Sequence, residues 1–141
     1  MLVRLLYASR AATTVDGDAL GAILKQCRAN NPALGVTGVL CHSGGLFMQV
    51  LEGGRSVVNR IYNSIVADPR HTDVELLSYE EINERRFAGW SMGQVDLARL
   101  NSALLLKYSE TDALNPYALS GRVSMALFEE LAATASVCGP L

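Results

Sequence analysis

The sequence predicts an α+β domain with a ferredoxin-like sheet in the element order βαββαββ, on the basis of three observations. Strand-like runs and two amphipathic helical segments alternate over residues 2–95. A glycine-rich turn joins the second strand to the third. The first and third strands are apolar on both faces, so both faces of the sheet need cover. Two helices are expected on one face, with C-terminal helices or a second subunit on the other.

The first strand is predicted at residues 2–9, where LVRLLYAS is apolar and tolerates extended backbone. Because side chains alternate along a strand, Tyr7 is expected on the same face as Val3 and Leu5. Leu6 is expected on the opposite face. A phenol is therefore placed among apolar residues on one face of the sheet.

A first helix follows, because apolar residues recur at helical spacing after the first strand. Either Asp16 or Asp18 is available as its N-cap. Pro32 disfavours helical backbone at the residue before it, so the helix is expected to end at Asn30 and Asn31. Asn31 would then be extended, with its amide directed inward. The apolar positions of this helix are Leu20, Ile23, Leu24 and Cys27.

The second and third strands are predicted in GVTGVLCHS and LFMQVLEG, joined at Ser43-Gly44-Gly45, a sequence typical of a hairpin turn. SVVNRIYNSIVAD predicts a second helix, with Ser56 as a candidate cap and Pro69 beyond its end. A fourth strand is expected at VELLSYEEI and a fifth at FAGWSMGQV. The apolar stripe of the second helix consists of Val57, Val58, Ile61 and Ile65.

Residues 96–141 are predicted to form a helical extension that packs on the sheet, in one compact unit with the core at residues 1–95. Asn115 followed by Pro116 is typical of a helix N-terminus. A last helix is expected within residues 117–136 and is apolar over a wide arc, with Met125 and Phe128 outside its main stripe. The leucines expected to share a face earlier in the tail are Leu97, Leu100 and Leu104.

Composition argues against several classes of function. The chain has 141 residues, half of them hydrophobic, which suffices for one compact domain. A net charge of −2 and the lack of a basic, aromatic cluster argue against a nucleic-acid partner. No apolar run is long enough for a membrane span or a secretory signal, so a cytoplasmic protein is expected. Cys27, Cys41 and Cys138 are expected to be reduced, packed thiols.

Signals of catalysis are weak, so the chain is not expected to be an enzyme. It has no nucleophile elbow, metal-ligand spacing, phosphate loop or glycine-rich dinucleotide fingerprint. His42 and His71 are most simply surface or capping residues. An acylphosphatase-like enzyme would need a glycine-bearing anion loop after the first strand, where Ser9-Arg10 is followed by two alanines.

Polar side chains inside apolar strands are the stronger functional signal, because a buried phenol or amide costs free energy unless it is hydrogen-bonded. Tyr7 and Gln49 lie on the strands that are central neighbours in a ferredoxin-like sheet, and can meet on its helix-covered face. Asn31 is expected beside the same slot. Trp90 and Met92 are expected on one face of the fifth strand. The apolar walls of the slot are expected to be Ile23, Leu24, Ile61 and Ile65.

The motifs LLYAS, NNPALGVTGVL, LFMQVLEG, ADPRH and FAGWSMG occur in the order and spacing of the BLUF family, the blue-light sensors that use flavin. The sequence resembles that family over residues 2–95. The resemblance implies a noncovalently held flavin, usually FAD, with FMN or riboflavin as alternatives. It implies Tyr7 as electron and proton donor, Gln49 as the switching amide and Asn31 as a partner of the ring edge. The other cofactor contacts that it implies are Ser9, Asn30, Asp68, Arg70 and His71.

Transmission of the light signal is expected to need more free energy than one rearranged hydrogen bond provides. A rearranged hydrogen bond contributes about 0.5–1.5 kcal/mol, whereas shifting a two-state element from 1:99 to 99:1 takes about 5.5 kcal/mol. Trp90 and Met92 are therefore expected to exchange places near Gln49, so that the fifth strand moves and the tail helices report it. The output would act through an unidentified protein in trans, and a homodimer is expected.

Each of these residues also has a simpler explanation. Tyr7 could be an ordinary core residue, an Asn-Pro pair often only ends a helix, and Trp90 with Met92 could be core packing. The alternative function is a cofactor-free dimeric interaction module whose last helix pairs with a partner. The colour of the purified protein separates the two, since bound flavin is yellow.

Overall fold

The computed structural model describes residues 1–12 and 17–134, with only the backbone described for residues 17–20. Five strands form one mixed sheet in the order β4-β1-β3-β2-β5, in which β2 and β5 are parallel and the other neighbours antiparallel. This is the ferredoxin-like order that the sequence predicts. The strands are β1 (Leu2–Ala11), β2 (Thr37–Ser43), β3 (Leu46–Gly54), β4 (His71–Ile82) and β5 (Gly93–Asp96).

Two apolar layers cover the two faces of the sheet. The first lies between the sheet and helices α1 (Gly17–Leu34) and α2 (Arg55–Ala67). The second lies between the sheet and helices α3 (Ser102–Tyr108) and α4 (Gly121–Ala133). The tail of the chain itself therefore covers the second face. The alternation predicted for β1 is confirmed, since Val3, Leu5 and Tyr7 belong to the first layer and Leu6 and Ala8 to the second.

The end of α1 differs from the prediction. Pro32 lies inside the helix, which continues to Leu34, so Asn31 is helical and not extended. Gly35 ends the helix with a φ of 70°. Its amide donates to the Pro32 carbonyl and the Val36 amide donates to the Asn31 carbonyl, the paired bonds of a Schellman motif. Pro32 therefore lies in the last turn of α1, and the turn at Gly35 ends the helix.

Two local predictions around β3 have different outcomes. Gly44 and Gly45 both have positive φ, as a two-residue type I′ turn requires, and they join β2 to β3 as predicted. Ser56 is not the cap of α2, because that helix begins at Arg55, after Gly54, without a side-chain cap bond.

The predicted caps of α1 lie outside the described residues. Asp16 is not described, and neither is the side chain of Asp18.

The fifth strand is shorter than predicted, and this changes the positions of Trp90 and Met92. β5 begins only at Gly93, so residues 87–92 form an irregular stretch, here called the crossing segment. Phe87 and Trp90 pack in the second layer, whereas Met92 is fully buried in the first. The prediction that Trp90 and Met92 share a face is therefore wrong. Strand alternation does not apply to irregular backbone, and this stretch passes from one face of the sheet to the other.

The tail consists of short helical elements. Asn115 caps a single 3-10 turn at Pro116–Ala118, and a separate helix, α4, begins after Ser120, whose hydroxyl accepts from the Val123 amide. The apolar arc of α4 is as wide as predicted. Its buried residues are Ser124, Met125, Leu127, Phe128 and Leu131. Leu97, Leu100 and Leu104 all pack in the second layer. Cys138 lies outside the described residues.

Candidate functional site

A cavity of about 270 Å³ opens between α1, α2 and the face of the sheet that they cover. Its walls are apolar where the helices face each other, at Ile23, Ile61 and Ile65. Its floor is formed by the central strands, through Tyr7 of β1 and Gln49 of β3. A flat molecule with polar groups along one edge would match this combination of apolar walls and a polar floor.

Tyr7 and Gln49 are directly paired at the floor of the cavity. They are opposite residues in the β1–β3 register, and the Tyr7 hydroxyl donates to Gln49 Oε1 at 2.5 Å. The Gln49 amide nitrogen, Nε2, donates on its other side to the Met92 sulfur at 3.3 Å. Both Tyr7 and Gln49 are buried. Gln49 therefore links a phenol in the sheet to the crossing segment.

The Tyr7 phenol is held neutral. Burial raises its pKa above the ordinary value of about 10, and the negative charges that Cys27, Tyr62 and Asp68 carry when ionised act in the same direction. A neutral phenol can supply an electron and a proton together to a nearby oxidant. Its proton already lies on the bond to Gln49, so the two groups are arranged for coupled transfer.

Asn31 faces both the cavity and the crossing segment. Its side chain is buried and lines the cavity, and its amide nitrogen donates to the Ser91 carbonyl at 3.3 Å. Arg28, one helical turn earlier, donates to the Met92 carbonyl at 3.2 Å. Asn30 also lines the cavity but is exposed at its mouth. The double asparagine thus places one amide at the floor and one at the rim.

The rim opposite Asn30 carries the charged residues. The Arg70 guanidinium donates to both carboxylate oxygens of Asp68, and this pairing is the main cause that lowers the pKa of Asp68 below its usual value. His71 Nδ1 lies 2.9 Å from the Ser9 hydroxyl, so Ser9 orients the imidazole from behind. Asp68, Arg70 and His71 all line the cavity, and Ser9 contacts it through His71.

Stability is expected to fall as the pH drops below about 6.5, the ordinary pKa of histidine. Burial lowers the pKa of His71 and that of His42, against the opposing effect of a nearby aspartate in each case. The folded state therefore takes up protons less readily than the unfolded chain. The stabilisation is complete above about pH 6.5 and is lost as the pH falls through the lowered values.

Thermal unfolding at about pH 7.5 and about pH 5.5 measures this loss. The decrease in melting temperature should be smaller in His71→Asn and in His42→Asn than in the unchanged protein, and smallest in the double variant. Asp68 does not contribute in this range, since its pKa is lowered from an ordinary value of about 3.9. An undiminished decrease in the double variant would contradict the account.

Most of the predicted site residues line this cavity, with four exceptions. Ser9 lies behind His71, and Leu24 is buried beneath the cavity wall. Trp90 packs on the opposite face of the sheet, and Met92 touches Gln49 from behind the floor. Several lining residues are absent from the prediction because they are ordinary apolar or surface residues in the sequence. These are Gln26, Cys27, Leu34, Leu40, Phe47, Leu51 and Ser64. Periodicity places Cys27 on the inner face of α1, but does not identify it as a cavity residue.

A family model described as BLUF, sensors of blue-light using FAD, matches residues 2–93. The photoactivated adenylate cyclase subunit beta of Euglena longa is 37% identical over 92 residues, 64% of this chain and 11% of the cyclase subunit. The blue light- and temperature-regulated antirepressor BluF of Escherichia coli (strain K12) is 32% identical over 97 residues, 69% of this chain and 24% of that protein. The chain spans about a tenth of the length of the cyclase subunit.

Two similar solved structures are covered over almost their whole length. The photo-activated state of BlsA superposes with a TM-score of 0.82 at 33% identity, over 94% of this chain and 95% of BlsA. The dark state of BlrB, a BLUF protein, superposes with a TM-score of 0.79 at 34% identity, over 94% of this chain and 96% of BlrB. The similarity therefore includes the tail helices that cover the second face of the sheet.

Proposed function

Because this chain belongs to the BLUF family of blue-light sensors that use flavin, we propose that its flavin lies in the cavity between α1 and α2, against Tyr7, Gln49 and Asn31. The observation that supports this site most strongly is the bond chain from the Tyr7 hydroxyl through the Gln49 amide to the Met92 sulfur. Residues 1–95 would hold the flavin. Residues 96–141 would act as the extension that receives the signal.

The cavity fits the chemistry of a flavin ring. The isoleucines of α1 and α2 offer apolar surface to the two faces of a flat ring, and Gln49 and Asn31 offer amide donors and acceptors to its polar edge. Asp68, Arg70 and His71 stand at the mouth, where a ribityl or phosphate tail would leave. Arg70 is engaged by Asp68 and gives no dedicated phosphate site, so FAD, FMN and riboflavin all remain compatible. FAD is the flavin proposed.

A bound flavin supplies the absorption of blue light and, in its excited state, an acceptor for one electron and one proton. Tyr7 is the residue placed to give up both, through its bond to Gln49. Gln49 can respond by rotating or tautomerising its amide, which exchanges the positions of its donors and acceptor. Rotation directs the carbonyl oxygen toward the Met92 sulfur, where the donated hydrogen bond is then lost.

The crossing segment is the proposed output route. One lost hydrogen bond contributes about 0.5–1.5 kcal/mol, and changing the burial of a side chain such as Met92 adds about 1.5–3 kcal/mol. Together these approach the roughly 5.5 kcal/mol that a full switch requires. Trp90 and Phe87 of the same segment pack in the layer that contains α4, so displacement of Met92 can reach the tail helices. A partner protein in trans would bind there.

We also propose that the chain works in the cytoplasm and carries out no catalytic step itself. Within residues 1–12 and 17–134, no group of acidic, histidine and cysteine side chains could hold a metal ion, and no helix in that part is long and apolar enough to cross a bilayer. Cys27 and Cys41 are free thiols, which supports a reducing cytoplasmic setting. A homodimer is proposed as the working state.

Gln49→Leu is expected to leave the protein yellow but to remove the reversible red shift of the flavin absorption under blue light. The leucine keeps the volume of the side chain and removes both hydrogen bonds that it makes. Absorption spectra before and after illumination measure the shift, and acid extraction of the pigment identifies the flavin.

Gln26→Leu is the matched control, because Gln26 lines the same cavity from an exposed position at its mouth. It should retain the full red shift. A colourless wild-type protein that takes up no added flavin would contradict the proposed function. An unchanged red shift in Gln49→Leu would show that Gln49 is not the switching amide.

A further inference from the structure

Glu52 is a buried carboxylate whose contacts lie outside the flavin cavity. It is fully buried on β3, three residues beyond Gln49, and faces the second layer of the core. Arg4 of β1, also buried, donates to Glu52 Oε2 at 2.8 Å, and Glu80 on β4 accepts from the same guanidinium. Removing such a charge pair from water costs free energy, which further hydrogen bonds to the carboxylate must offset. The other partners of Glu52 therefore indicate what this buried carboxylate holds in place.

The remaining contacts of the Glu52 carboxylate are to two backbone amides, that of Phe87 at the start of the crossing segment and that of Arg86 just before it. The Phe87 amide donates to Oε1 at 2.7 Å and the Arg86 amide donates to Oε2 at 3.0 Å. Backbone bonds to an ionised carboxylate are about twice as strong as bonds between neutral groups. Glu52 therefore holds the upstream end of the segment with two charge-assisted bonds in a site closed to water.

The downstream end of the segment is held differently. The Gly38 amide donates to the Trp90 carbonyl at 3.0 Å, and Asn31 donates to the Ser91 carbonyl at 3.3 Å. Two links hold Met92 itself. The Arg28 guanidinium donates to its carbonyl at 3.2 Å, and the Gln49 amide makes a weak bond to its sulfur, which the proposed photochemistry changes. The same strand, β3, thus provides a fixed attachment at Phe87 and a switchable one at Met92.

We propose that Glu52 is the positioning residue about which the crossing segment pivots, so that movement at Met92 is delivered to α4. The inference rests on the proposed function. With the Phe87 amide fixed, displacement at residues 90–92 becomes a rotation near Phe87. The Phe87 ring packs edge-on against Phe128 of α4, with centroids 6.4 Å apart, and passes that rotation to the helix. With the amide released, the segment slides as a whole and α4 does not respond.

Glu52→Gln tests this inference in the full-length, flavin-loaded protein. The variant keeps the shape of the side chain but replaces one acceptor oxygen by an NH2 group, which only donates. One neutral carbonyl oxygen is then left to accept from Arg4, Arg86 and Phe87. The red shift should be retained in full. The light-minus-dark difference in hydrogen exchange over residues 121–133 should fall at least about fivefold, and the light-induced change in fluorescence of Trp90, the only tryptophan, should fall with it.

Glu80→Gln is the matched control, since it removes the other carboxylate on Arg4 without contacting the crossing segment. It should behave as the unchanged protein in both measurements. A full α4 response in Glu52→Gln would overturn the inference, and so would a wild-type protein that shifts its absorption without any α4 response. A wild-type protein without a red shift would instead overturn the proposed function.

If Glu52→Gln does not fold, the same measurements on Phe87→Leu test the inference. It retains the backbone bond to Glu52 and removes only the ring contact with Phe128. The red shift should persist and the α4 response should fall by the same factor. A full α4 response in Phe87→Leu would overturn the inference.

Discussion

Tyr7→Phe is expected to bind flavin normally and to lose the reversible red shift completely. Phenylalanine keeps the ring but cannot donate a proton, and its ring is a poorer electron donor than a phenol. The Gln49 carbonyl oxygen loses the donor that fixes its orientation. The cost to stability should be only about 1 kcal/mol, the worth of one hydrogen bond.

The measurement is the light-minus-dark absorption spectrum, with transient absorption to follow quenching of the excited flavin. Tyr62→Phe is the matched control, because Tyr62 packs beside Tyr7 with ring centroids 5.8 Å apart, while the bond to Gln49 belongs to Tyr7. Tyr62→Phe should switch normally. Photoswitching that survives in Tyr7→Phe would show that the electron and proton come from another group.

Gly121→Ala is expected to lower the free energy of unfolding by about 3 kcal/mol and the melting temperature by about 10 °C. A Cβ at Gly121 would lie 2.0 Å from the Leu77 carbonyl oxygen and 3.1 Å from the Ser78 Cβ, both on β4. The carbonyl is a backbone atom of β4, so it can move away only together with the strand. The first turn of α4 would therefore lift from β4 and loosen the second apolar layer.

The control uses the same substitution in another helix. Gly21 in α1 has nothing within 4 Å of its would-be Cβ, so Gly21→Ala should stabilise the protein by about 0.5–1 kcal/mol through helix propensity. Thermal unfolding of the two variants under the same flavin concentration gives the comparison. Equal melting temperatures would mean that α4 does not approach β4 as closely as described.

Sequence periodicity was sufficient for the sheet and for the floor of the site. Alternation along β1 and β3 and the strand order of a ferredoxin-like sheet predict that Tyr7 and Gln49 can meet on the helix-covered face. The structure confirms this and pairs the two residues in register. The apolar stripe of α2 likewise predicts Ile61 and Ile65 as cavity walls. These features depend on local repeats of two or 3.6 residues, which a sequence displays directly.

Other features were not predictable in the same way. The end of α1 was predicted from Pro32, whereas the helix ends at the turn formed by Gly35, three residues further on. The crossing segment contains neither repeat, so nothing local indicates that Trp90 and Met92 lie on opposite faces of the sheet. The need for glycine at 121 arises from the backbone of β4, more than forty residues away.

A crystal structure of the yellow protein grown in the dark would show whether Tyr7 and Gln49 contact a flavin between α1 and α2. We expect the ring between Ile23 and the isoleucines of α2, with the Gln49 and Asn31 amides within hydrogen-bond distance of its polar edge. We also expect Met92 to remain in contact with Gln49. A flavin bound elsewhere, or a ring separated from Gln49 by other side chains, would contradict the account.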